Sequence, residues 1–142
     1  MSQSHIPAAL RERVATAAHF RCGYCQTARA IIGQPLHIEH IVPLAAGGQT
    51  SEDNLWLACP LCNGHKGTQT DALDPVTGER VPLFNPRKQN WHDHFAWSDN
   101  GAIILGVTPI GRATIFALHL NNEYVGPSRR IWIAAGWHPP KD

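Results

Sequence analysis

Four cysteines fall in two C-x-x-C pairs, Cys22-Gly23-Tyr24-Cys25 and Cys59-Pro60-Leu61-Cys62, and the chain has no others. Two such bidentate thiolate arms are what a tetrahedral structural Zn²⁺ site requires, with Gly23 expected to permit the tight first knuckle. The 33 residues between the pairs, 26–58, exceed the spacing of a simple zinc ribbon. Something is therefore inserted between the arms. That insert and the stretch just after it carry the densest polar cluster in the chain: His37, Glu39, His40, Asn54, Asn63 and Lys66. An imidazole beside a carboxylate, with carboxamides close by in sequence, is the equipment for proton transfer next to a hard cation.

The layout of this cluster resembles the HNH endonuclease family, the ββα-metal nucleases, over about residues 20–68. Glu39-His40-Ile41-Val42-Pro43 matches an acidic residue and a catalytic histidine on a first strand, followed by an apolar pair and a proline. Asn54-Leu55-Trp56-Leu57 matches a loop asparagine before an apolar run. Cys62-Asn63-x-x-Lys66-Gly67 matches the segment after the second knuckle, with Asn63 where a histidine also occurs in the family. The resemblance implies an α+β fold, a zinc-stabilised ββα-metal, treble-clef-like core, and an enzyme that hydrolyses or nicks phosphodiester bonds in DNA.

It also implies roles that agree with the chemistry of the side chains. His40 is expected as general base, since a neutral imidazole beside a divalent cation activates water. Glu39 and Asn63 are expected to hold a catalytic Mg²⁺ or Mn²⁺ through oxygen while leaving positions for water and phosphate. Asn54 is expected to orient His40 in a productive tautomer, although it also reads as an ordinary turn former. Lys66 is expected to meet a phosphate oxygen as a point charge. His37, alternating onto the face of Glu39, is assigned to nucleic-acid contact; a third metal ligand or a solvated strand histidine suits its position equally. His65 is expected to face solvent or DNA.

The elements that must position these residues are legible in outline. Leu10, Val14 and Ala17 or Ala18 recur at helical spacing over 7–19. Residues 36–42 alternate as a short strand ended by Pro43, and 55–58 form a second buried strand or turn. A helix is expected to open at 63–68. An extension of residues 75–142 is expected to follow a core of residues 1–74. In it, 95–97 and 102–107 flank Ser98-Asp99-Asn100-Gly101 as a hairpin, Thr108-Pro109 caps a helix to about Leu120, and 128–135 form another. Phe84, Trp91, Phe95, Trp97, Trp132 and Trp137 are expected as its core, and Arg87-Lys88, Arg112 and Arg129-Arg130 either extend a phosphate track or are ordinary exposed charges.

Composition frames these expectations. With 142 residues, 43% hydrophobic and 16% charged, the chain suits a compact domain with an appended unit. Twelve Lys+Arg against eleven Asp+Glu exclude a long basic arm. No signal-like leader and no membrane-length apolar run occurs, so a soluble cytoplasmic protein is expected, with no membrane partner. In a reducing cytosol the paired cysteines read as metal ligands before disulfides. Two rivals stand: a catalytically inactive zinc-binding module for nucleic acid or protein, and a thiol redox protein. A single module touches one strand, so double-strand cleavage would call for a homodimer or two sequential nicks.

Overall fold

The computed structural model describes residues 5–141 and divides into two compact units. Unit 1 comprises the chain up to Thr70 together with Asn85–Lys88, and unit 2 comprises Asp71–Phe84 and the chain from Gln89 onward. The division differs from the expected boundary at 74/75 because Asp71–Leu73 pairs with Arg80–Pro82, which draws residues 71–74 into unit 2.

In unit 1, helix α1 spans Ala8–Ala17 with Pro7 at its N-cap, where a missing N–H leaves no donor unsatisfied. Val14 is fully buried and packs with Ile6, Ala18, Leu55 and Leu57 as the core, joined by Leu10, Ile38 and Trp56 from its edge. A short helix α2, Arg29–Ile32, ends at Gly33 in the left-handed region (φ 68°). Strand β1, His37–His40, pairs antiparallel with β2, Leu55–Ala58, in the register His40↔Leu55 and His37↔Ala58. Helix α3 spans Pro60–Lys66. It begins three residues earlier than expected because Cys59 is its N-cap, its Sγ accepting from the Cys62 backbone N–H. The second knuckle is thus the first turn of the helix.

Unit 2 is built from the hairpin β3 (Asp71–Leu73) and β4 (Arg80–Pro82), helix α4 (Trp91–His94), the hairpin β5 (Phe95–Ser98) and β6 (Ile103–Gly106), and helices α5 (Pro109–Leu118) and α6 (Val125–Ala134). Thr108 caps α5 as expected, its hydroxyl accepting from the Gly111 N–H at 3.1 Å. Gly111 is where α5 meets the segment of His94, since a Cβ there would lie 2.0 Å from the His94 carbonyl oxygen. Phe84, Trp91 and Phe95 form the aromatic core, while Trp97 and Trp132 are half-buried and Trp137 is 60% exposed, against expectation.

Three of the arginines weighed as a phosphate track or as ordinary exposed charges are paired inside unit 2, while Arg87 in unit 1 donates to the Leu55 carbonyl oxygen. Arg129 is fully buried and donates to the carbonyl oxygens of Ala102 and Leu120 and to Asn121 Oδ1. Arg112 grips Asp74 with two donors at 3.0 and 2.8 Å and holds its carboxyl well below the usual carboxylate range. Arg130 pairs with Asp99 at the surface. Among the described residues, no helix is long and apolar enough to cross a membrane.

Candidate metal and catalytic site

The four cysteine sulfurs lie within 4.8 Å of one another, and none is in a disulfide. A zinc ion with Zn–S bonds of about 2.3 Å in a tetrahedron sets its ligand sulfurs about 3.8 Å apart. The Cys25–Cys59 pair stands at 3.8 Å. Backbone N–H groups of Tyr24 and Cys62 donate to the sulfurs of Cys22 and Cys59, both at 3.4 Å, which stabilises thiolate charge. Burial pushes the Cys22 thiol up, whereas hydrogen bonds from Cys22, Cys59 and Cys62 hold Cys25 down. Four buried thiols at this spacing resist joint ionisation unless a cation neutralises them. The donor set, separation and burial fit zinc.

Gly23 has a different role from the one expected. A Cβ there would stand 2.3 Å from Trp56 Cδ1, so its hydrogen side chain makes room for the Trp56 ring. Left-handed backbone in this knuckle falls instead to Gln26 (φ 64°).

Strand β1, the 43–45 turn and the C-terminal part of α3 with the residues after it frame a cleft of about 300 Å³ lined by His37, Glu39, His40, Asn63 and Thr68 among others. Most of the polar residues singled out in sequence therefore converge. His40 is buried, at 9% exposure, and its Nε2 lies 2.8 Å from Thr50 Oγ1. Burial, with the nearby Lys66 ammonium, lowers its pKa below the ordinary imidazole value. The shift favours the neutral imidazole, the state a proton acceptor needs. Asn63 is half-buried, His37 is exposed on the rim, and His65 is exposed as expected.

Two expected roles change. Asn54 does not contact His40: its Oδ1 accepts from the Val42 N–H at 2.9 Å, and its Nδ2 donates to Val42 O and Gln49 O at 3.0 and 2.8 Å. It closes the loop that carries Thr50, so its effect on His40 is one step removed. Gly48 is part of the same closure, since a Cβ there would stand 1.8 Å from Val42 O.

Lys66 is not placed to meet a phosphate. It is 2% exposed and points inward, 3.1 Å from Glu39 Oε1, donating to the carbonyl oxygens of Ile41 at 2.9 Å and His40 at 3.4 Å. The turn of α3 that separates it from Asn63 carries its side chain under β1.

Glu39 is 4% exposed, and each oxygen already has a partner, Lys66 at Oε1 and the Tyr24 hydroxyl at Oε2, 2.5 Å away. Burial raises its pKa, opposed by the Lys66 charge and the Tyr24 hydrogen bond. A carboxylate offers about four lone-pair positions, so these two contacts leave room for a cation. With Asn63 in the same cleft the donors are hard oxygens, the chemistry of Mg²⁺ or Mn²⁺. Any such cation shares Glu39 with an ammonium.

Sequence reasoning passed over Tyr24 and Thr50. Tyr24 sat between two cysteines, where its packing role masked its hydroxyl. Thr50 sat in loop material with no periodicity to single it out.

Comparison with known proteins matches residues 22–69 to the family model described as HNH endonuclease, which is 48 of the 142 residues. No curated protein and no solved structure matches the chain. The matched segment begins at the first zinc-site cysteine, ends just beyond α3 and includes every residue of the cleft. The HNH match thus covers one segment of unit 1, in a chain that carries a second compact unit.

Proposed function

We propose that this chain is a metal-dependent endonuclease that nicks DNA at the cleft between β1 and α3, with His40 as general base. The observation that carries this reading is a buried histidine next to a carboxylate and lining the same cleft as Asn63, inside the segment that matches the HNH model. His40 takes the proton of an attacking water as that water closes on phosphorus. Asn54 and Gly48 hold the loop that fixes one edge of the imidazole ring. Glu39 and Asn63 would hold the divalent cation, which when bound supplies charge neutralisation on the phosphate and the departing oxygen. Lys66 and Tyr24 keep Glu39 oriented. The cysteine cluster with zinc ties both knuckles to this arrangement.

One observation favours a second reading, a catalytically inactive zinc-binding module for nucleic acid or protein: both Glu39 oxygens are engaged internally and Lys66 is not available to phosphate. A plasmid nicking assay with Mg²⁺ and with Mn²⁺ separates the two. The nuclease reading expects nicked circles from the parent protein and a loss of about 10²–10⁴-fold in His40→Ala, with metal affinity retained. No nicking by either with both metals supplied favours the binding module, whereas equal nicking by parent and variant overturns His40 as the general base.

A further inference from the structure

We propose that Arg87, which lies beyond the segment matching the HNH model, is a positioning residue of the cleft: its guanidinium caps the outer edge of β2 at Leu55 and so holds the hairpin that carries Glu39 and His40. The consequence for catalysis rests on the nuclease reading, whereas the fixing of the hairpin does not. Of the chain after Thr70, Asn85–Lys88 alone groups with unit 1. Arg87 Nε and Nη2 both donate to Leu55 O, at 3.3 and 3.2 Å, and its Cζ stands 5.0 Å from the centroid of the Trp56 ring. Leu55 is the register partner of His40, and Trp56 is that of Glu39.

A guanidinium can only donate, so the direction of these bonds is fixed. The Ile41 N–H donates to Asn54 O, and bonded and non-bonded pairs alternate along an antiparallel ladder. Glu39↔Trp56 is therefore a bonded pair, while at His40↔Leu55 and Ile38↔Leu57 the Leu55 and Leu57 carbonyls turn away from β1. Both outward carbonyls are capped. The Gly23 N–H of the first knuckle donates to Leu57 O at 2.9 Å, and Arg87 takes Leu55 O. One cap comes from the cysteine site and the other from a segment later in the chain than α3.

That segment is shaped for the task. Asn85 Oδ1 accepts from the backbone N–H groups of Arg87 and Lys88 at 3.0 and 3.1 Å, which closes a turn beneath the arginine. Pro86 packs on the knuckle, since a Cβ on Gly23 would lie 2.8 Å from Pro86 Cβ as well as 2.3 Å from Trp56 Cδ1. The bare Gly23 thus seats the segment and the ring together. A two-stranded hairpin is marginal by itself, so an uncapped edge opposite His40 loosens the strand that aims the imidazole. Misplacing a reacting group by about 1 Å costs up to about 10²-fold in rate.

The test compares three variants with the parent in the full chain. Arg87→Met keeps the apolar stem and removes the donors, Arg87→Lys keeps a donor and the charge, and Lys88→Met removes the neighbouring exposed charge. Amide hydrogen exchange is followed by NMR, beside nicking at saturating DNA and DNA affinity by fluorescence anisotropy. In Arg87→Met the Glu39 and Trp56 amides should exchange about tenfold faster, the worth of one hydrogen bond, while the α1 amides stay within about threefold of the parent. Nicking should fall by about 10–10²-fold with DNA affinity unchanged. Arg87→Lys should recover part of both losses, and Lys88→Met should match the parent in exchange. Unchanged Glu39 and Trp56 exchange in Arg87→Met overturns the proposal. So does acceleration shared equally by α1, which would make Arg87 a general stabiliser, or a matched loss of DNA affinity in Arg87→Met and Lys88→Met with the hairpin unmoved, which would make the segment a phosphate contact. A parent that nicks with neither Mg²⁺ nor Mn²⁺ would instead overturn the nuclease reading, while the exchange rates would still decide whether Arg87 holds the hairpin.

Discussion

Removing zinc from the four-cysteine cluster should unfold unit 1, and the size of the effect follows from the geometry. Cys25 and Cys59 are 34 positions apart and their sulfurs are 3.8 Å apart. A cross-link closing a loop of that length lowers the entropy of the unfolded chain by about 4 kcal/mol at 25 °C. That is the lower bound, since bond formation with four thiolates in small zinc domains contributes about 10–16 kcal/mol apparent. Against it stands a small core whose buried members are Ile6, Val14, Ala18, Leu55 and Leu57. For a unit of this size each kcal/mol moves the melting temperature by about 4–8 °C, so even the lower bound lowers it by more than about 15 °C. Unit 2 holds no cysteine and should keep its own fold. The assay is colorimetric zinc release on thiol modification, expected at one equivalent per chain, beside NMR-detected melting with and without a strong chelator. The Cys62→Ser variant should reproduce the chelated state. Native, folded protein that contains no zinc, or a zinc-stripped protein that melts as the parent does, would refute the reasoning.

Further outcomes follow from individual contacts. Lys66→Met leaves the Glu39 carboxylate buried without its ammonium, so stability should fall by about 3–5 kcal/mol in denaturant titration; a change under about 1 kcal/mol would mean the pair is not the contact that matters. Because burial lowers the His40 pKa, the acceptor form is present above that value and is lost as pH falls through it. The acid limb of kcat/KM should therefore have its midpoint below the ordinary histidine value of about 6.5, and a midpoint above 7 would count against His40. Arg112 depresses the Asp74 pKa, so this pair contributes stability above the ordinary aspartate range that is lost as pH falls through the lowered value. Asp74→Asn should lower the melting temperature at pH 7 and converge on the parent in strong acid, and a difference that does not vary with pH would exclude the linkage.

The sequence by itself determined the metal site, the ββα order and the identity of most cleft residues. These rest on local rules: C-x-x-C spacing supplies bidentate arms, alternation over 36–42 builds β1, and Thr108-Pro109 caps a helix with its own hydroxyl. What only tertiary structure decided is where each polar side chain finds its partner, since that depends on groups distant in sequence. Lys66 lies on a helix face that sequence leaves open to solvent, but packing of α3 on β1 carries its ammonium to Glu39 and to the Ile41 carbonyl, 25 positions away. Asn54 was legible as functional, yet its bonds go to backbone groups because the loop folds back on Val42. Thr50 and Tyr24 had no sequence signal at all. Arg129 looked like a surface charge beside Arg130 until α6 turned it onto the carbonyls of Ala102 and Leu120. Periodicity and spacing specify backbone and metal arms, whereas the destination of a long charged side chain is chosen by whichever unsatisfied buried oxygen the fold brings within its reach.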